Sequence, residues 1–124
     1  MTTNIATTKE QSVRLLQCGV DPETADMTFT PHNTLSADPY KEALKDRGYF
    51  PTWSLSALLE LVPKTLPNGF KFNIEFDHGD TSEPWWITYA DERYWQCFSD
   101  KSPIEACVQA IEWLTANNYK LNQL

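Results

Sequence analysis

Residues 75–83 read Glu-Phe-Asp-His-Gly-Asp-Thr-Ser-Glu. Asp77, His78 and Asp80 are residue types that can surround a divalent ion. Two carboxylates and an imidazole suit Mg²⁺, Mn²⁺ or a non-heme metal. With Glu75 alongside, such an ion could activate water and polarise a phosphate, the chemistry of a metal-dependent hydrolase or nuclease. The D-x-D-x-D-G…E order of a calcium loop is missing. The plainer reading is a solvated connection whose acids, with Gly79, satisfy backbone groups. On that reading no metal, no cofactor and no catalytic residue is expected.

A second group of side chains is aromatic: Trp85, Trp86, Tyr89, Tyr94, Trp95 and Phe98. In a strand, Trp85, Ile87 and Tyr89 share one face while Trp86, Thr88 and Ala90 share the other. Each face therefore carries a Trp. One face must cover a core. The other is either covered as well, or serves as a stacking platform or a docking patch for a protein. Stacking on nucleic-acid bases normally comes with a cationic groove. Residues 72–100 instead hold seven acids and one base, Arg93. Protein docking is the better functional reading, with Trp53, Trp86, Tyr94, Asp77, Asp80 and Glu83 as the candidate contact residues.

Other constellations lead to structure and not to chemistry. Ser54 and Ser56 flank no GxSxG elbow and have no base nearby in sequence. Thr52 or Ser54 reads as a helix cap, with Trp53 packed beneath the helix. Cys18, Cys97 and Cys107 are odd in number and form no CxxC, which suits free, buried thiols in a reducing compartment. His32 and His78 are isolated, and no zinc ligand pair exists. Four scattered glycines exclude a P-loop or a GxGxxG turn.

The whole chain has 124 residues, is 41% hydrophobic and 22% charged, and carries a net charge of -7. That is one domain's worth of chain, 1–124, with enough apolar content for a core. The acidic balance argues against duplex nucleic acid and anionic membrane as partners. Residues 1–8 lack a basic cluster and an apolar run, so no signal peptide is expected. No apolar stretch approaches the ~20 residues of a membrane helix. A cytoplasmic protein is the expectation.

The elements that must position these residues follow from periodicity and caps. Residues 1–6 are expected to fray. Thr7 and Glu10 form a capping box for a helix to about Cys18 that buries Val13, Leu15 and Leu16, with Gly19 as its stop. Asp21-Pro22-Glu23 starts a short helical turn. Residues 27–30 form a short strand and 31–37 a loop. Residues 40–47 form a surface helix capped by Asp38 and ended by Gly48. A stronger helix opens at 51–54, with Leu55, Leu58, Leu59 and Val62 as its buried stripe.

From Phe70 to Asp77, apolar and polar residues alternate with period two. Strands at 85–90 and 94–98 follow, the last joined by a tight turn at 91–93. Ser102 and Glu105 form a second capping box, before a helix that buries Ile104, Cys107, Val108, Ile111 and Leu114. The expected class is α+β: a three-stranded antiparallel β-meander packed with an N-terminal helical half and a C-terminal helix.

Three stretches are familiar in combination: TKEQSVRLLQCGVDPETADM at 8–27, PTWSLSALLELVPK at 51–64, and 100–114 with its EACVQAIEWL core. Together they resemble a family of small acidic proteins from phages, prophages and other mobile elements of Bacteroidetes bacteria. Trp53-Ser54-Leu55 is the most specific part. Residues 29–49 depart from that family's pattern, in which more strand and less helix is expected. The resemblance implies a mobile-element origin and a bacterial cytoplasm. It carries over no activity, cofactor or catalytic residue.

Three functions follow as expectations. The first is a non-enzymatic accessory or regulatory protein that binds a host or phage protein. The others are the metal-dependent hydrolase of the 75–83 connection and an acidic mimic of nucleic acid. The oligomeric state is not legible in the sequence.

Overall fold

The structure is a computed structural model that describes residues 5–79 and 82–123. The chain opens with α1 (Lys9–Gln17). Its cap lies one residue later than the Thr7–Glu10 expectation. The Thr8 hydroxyl accepts from the Gln11 amide at 3.2 Å, and the Gln11 side chain accepts from the Thr8 amide at 2.9 Å. Thr7 is engaged elsewhere: its amide donates to the Trp53 carbonyl, and its hydroxyl accepts from the Trp53 amide and bonds to Ser12. A residue held in these tertiary bonds cannot also cap the helix, so the role passes to its neighbour. Leu15 is buried as expected, Leu16 is half-buried, and Val13 is 41% exposed, against expectation. Gln11 and Ser12 take the inward positions because both have hydrogen-bond partners there. Gly19 ends the helix at φ +88°, a conformation that favours glycine.

The N-terminal half also holds a small antiparallel sheet, of which the sequence reading contained only the strand at 27–30. β1 (Met27–Phe29) lies between β2 (Leu35–Ser36) and β3 (Phe50–Thr52). The surface helix expected at 40–47 is instead a 3-10 segment, Glu42–Arg47, ended by Gly48 at φ +84°. With few apolar residues, it has no stripe to bury against a partner. Tyr40 is an exception to its expected surface position: it is 2% exposed, and its amide donates to the Ala25 carbonyl.

Next comes α2 (Leu55–Leu61), shorter than expected and capped by Ser54, whose hydroxyl accepts from the Ala57 amide. The 52–54 segment is pinned from several sides. Asp26 accepts from both the amide and the hydroxyl of Ser54, at 2.9 and 2.5 Å. The Trp53 indole donates to the Thr24 hydroxyl at 2.9 Å.

The second sheet is the expected meander: β4 (Lys71–Phe76), β5 (Trp85–Ala90) and β6 (Trp95–Asp100), antiparallel in that order. The ladder pairs Phe72 with Tyr89 and Ile74 with Ile87, and pairs Ile87 with Phe98 on the other side. These residues share the face over which α3 (Pro103–Ala116) packs. Ser102 caps α3 through the Ile104 and Glu105 amides. The Glu105 side chain serves a tertiary contact instead, described below. The Tyr89 hydroxyl donates to the Pro63 carbonyl at 2.7 Å, and Trp113 stacks on the Tyr89 ring. Burial pushes the Tyr89 phenol well above its ordinary range. One hydrophobic core runs from Leu15 through Trp53 and Leu58 to Leu114, uniting both halves. No helix among the described residues is long and apolar enough to cross a membrane.

Candidate functional site

Strand alternation divides the second sheet into two unlike faces. The Ile87, Tyr89 and Phe98 face lies under α3, and Ile87 and Tyr89 are fully buried. The opposite face carries Lys71, Asn73 and Glu75 from β4, Trp86, Thr88 and Ala90 from β5, and Trp95, Cys97 and Ser99 from β6. Among the described residues, no helix or second sheet packs across this face. Trp95 is 66% exposed on it.

The connection after β4 stays beside this face at one end. The Asp77 amide donates to the Pro84 carbonyl at 2.7 Å, which closes the β4–β5 hairpin. The Asp77 carboxylate accepts from the Gly79 amide, a small self-bonded turn. His78 sets its ring edge-on to Phe76 at 4.8 Å. The Ser99 hydroxyl donates to Glu83 at 3.5 Å. A cavity of about 490 Å³ is lined by Glu75, Phe76, Asp77, His78, Gly79 and Trp86. Trp86 is half-buried at its wall, and its indole N–H is buried with no hydrogen-bond partner among the described residues.

At the opposite end, Asp91 builds the β5–β6 turn. Its amide donates to the Tyr94 carbonyl, and its carboxylate accepts from the Arg93 and Tyr94 amides. The Tyr94 and Arg93 amides hold the Asp91 carboxyl below its ordinary range. Tyr94 sits in this turn, outside β6, and is 68% exposed.

The sequence-expected contact residues therefore divide. Trp86 lies on the open face, with Asp77 and Glu83 in the connection at its end. Tyr94 is exposed but belongs to the turn. Trp53 has to be removed from the candidate surface: it is fully buried in the N-terminal half, and the chain bonds both its indole and its backbone. Asp80 lies outside the described residues. Trp95 was not among the expected contacts, although a signal for it existed. The Asp91 turn pairs Ala90 with Trp95, which puts Trp95 on the Trp86 face.

For metal chemistry, no group of three or more His, Cys, Asp and Glu side chains able to hold an ion occurs among the described residues. Ser54 gives its hydroxyl hydrogen to Asp26 and caps α2, so its geometry is that of a structural serine. Burial, with the Glu75 charge behind it, pushes the half-buried Cys97 thiol up. Burial pushes the Cys107 thiol up to about 12. Both shifts oppose thiolate formation and hence nucleophilic reactivity. No protein-family model, curated protein or solved structure matches this chain.

Proposed function

We propose that this chain is a non-enzymatic binding module, an accessory or regulatory protein of a phage or mobile element that docks on another protein through the open face of its second sheet. The observation that carries the reading is that face itself: three strands wide, uncovered among the described residues, with Trp86 at one end and Trp95 at the other. Aromatic side chains with a polar tip are the residues on which interfaces concentrate their binding energy. The Trp86 end is acidic, with Glu75, Asp77 and Glu83, whereas at the Trp95 end Asp91 and Glu92 are balanced by Arg93 and by Lys71 on the same face. A basic partner surface is the electrostatic complement of the Trp86 end, with charge governing the rate of encounter and the rings the lifetime of the complex.

The test is site-specific photo-cross-linking in a Bacteroidetes host. A photo-reactive amino acid is placed at Trp95 and, in a separate protein, at Lys45 in the 3-10 segment. The expected result is one dominant cross-linked protein from position 95 that is missing from position 45 and diminished by Trp86→Ala. Identical adducts from both positions, or none from position 95, would refute the reading. Loss of the adduct in high salt would show charge to dominate, and its persistence would show the rings to dominate.

A further inference from the structure

The hairpin-closing bonds determine where the backbone of each strand points. Hydrogen-bonded and non-bonded pairs alternate along an antiparallel ladder. The Asp91 amide bonds to the Tyr94 carbonyl, so Tyr89–Gln96, Ile87–Phe98 and Trp85–Asp100 are the bonded pairs of β5 and β6. The Asp77–Pro84 bond leads independently to the same alternation on β5. Trp95, Cys97 and Ser99 therefore turn their N–H and C=O groups away from β5, toward the outer edge of the sheet.

The two edges of this sheet are treated differently. At β4, residues before the strand fold back on it: the Phe72 amide donates to the Lys64 carbonyl, and Thr65 bridges to Lys71. The side chains of β4 also include Lys71 and Glu75, charges of the kind that blunt an edge. Neither device appears along residues 95–99 of β6, whose one charge, Asp100, lies at the strand's end. No strand pairs with its outer side among the described residues, and residues 95–99 contain neither a proline nor a charge. A five-residue edge of this kind is a template for another strand.

We infer that β6 pairs antiparallel with β6 of a second copy of this chain, joining two three-stranded sheets into one of six. The occupant and the register follow from face continuity and charge. Side chains opposite one another must lie on the same face, and the outward backbone groups belong to odd-numbered residues. Two central registers meet both conditions. With Cys97 opposite itself, Arg93 falls opposite Lys101 of the second copy, two like charges. With Phe98 opposite itself, that clash is gone. Lys101 of the second copy then faces Trp95, a cation beside an aromatic ring, while Gln96 faces Asp100 and Cys97 faces Ser99. This second register is the one inferred. It makes one continuous platform of the two open faces and rests on no property of the docking partner discussed above.

The experiment measures mass by sedimentation equilibrium, from micromolar to millimolar protein, and follows it with oxidation in a Cys18→Ser background. Reversible association to twice 14.3 kDa is expected. Under mild oxidation, Ser99→Cys should trap the dimer as a disulfide to Cys97 of the other copy, because bonded antiparallel pairs hold their Cα atoms about 5.5 Å apart, within disulfide range. The Cys18→Ser parent should not cross-link. The double variant Cys97→Lys/Ser99→Lys, which sets like charges opposite one another, should be folded by circular dichroism and monomeric. A chain that stays monomeric throughout overturns the inference. So does a dimer that Ser99→Cys leaves uncross-linked, or one that the parent cross-links through Cys97.

Discussion

Arg14 joins the first helix to the last, and its replacement is the most informative single perturbation of the fold. Its guanidinium forks onto two carboxylates of α3. Nη1 and Nη2 donate to Glu105 at 2.8 and 3.1 Å, and Nε and Nη2 donate to Glu112 at 3.1 and 2.6 Å. Side-chain exposures of 33%, 19% and 38% place the three groups between surface and interior. A fully exposed pair contributes about 0.2–1 kcal/mol. Two forked pairs, partly shielded and spanning two helices, should together contribute about 1–2 kcal/mol after solvent screening. Arg14→Met keeps the packing of the stem and removes the charge.

The same contact predicts a pH signature. Burial alone would raise the Glu105 carboxyl, but hydrogen bonds from Arg14, Gln11 and Gln109 outweigh it, so the folded value lies below the ordinary 4.5. A group depressed in the folded state contributes stability that is present above its unfolded value and lost as pH falls through the folded one. Urea denaturation of both proteins at neutral pH should show Arg14→Met less stable by about 1–2 kcal/mol. The deficit should shrink in steps below pH 4.5 as Glu105 is protonated. A deficit that persists undiminished into acid, or none at neutral pH, would show that the forked pairs do not hold the two helices together.

Three other outcomes are expected. Asp26→Ala removes the acceptor of both the Ser54 amide and hydroxyl and should cost about 1–3 kcal/mol in denaturant titration. Tyr89→Phe leaves the Pro63 carbonyl without its hydroxyl donor and should cost about 1–2 kcal/mol, and in the native protein the Tyr89 phenol should resist ionisation through the ordinary alkaline range of tyrosine in an absorbance titration. With its pKa near 12, the fully buried Cys107 should be labelled by a disulfide reagent at mildly alkaline pH only after unfolding, and peptide mapping of native and unfolded samples would show it.

How far the candidate site could be read in advance varied with the range of the forces involved. Trp86 and its face followed from period-two alternation, a property of six consecutive residues. Trp95 obeys the same rule, but it was missed because the expected strand began at Tyr94, and only the observed register, Ala90 opposite Trp95, assigns it to that face. Trp53 carried two readings, packed beneath the helix or exposed on a docking surface, and the structure bears out the first. The deciding contacts come from Thr7, Thr24 and Asp26, all distant in sequence. Glu105 shows the same limit. Its spacing from Ser102 matches a capping box, yet its carboxylate turns to Arg14, 91 residues away, because a forked charge pair outcompetes a single backbone amide.

Of the first sheet only β1 was expected, and β2 and β3 were missed for a related reason. These two are two and three residues long, too short for any periodicity to register, and only their pairing with β1 across intervening loops makes them strands. By itself the sequence determined what local rules govern: the α+β class, the alternating faces of β4 and β5, the cap and stripe of α3, and an acidic surface around the aromatic sheet. Tertiary structure decided which face α3 covers, which tryptophans water can reach, and which edge of the sheet is left open. Those choices depend on contacts between distant segments, and a solvent-facing strand and a covered one can carry the same local pattern.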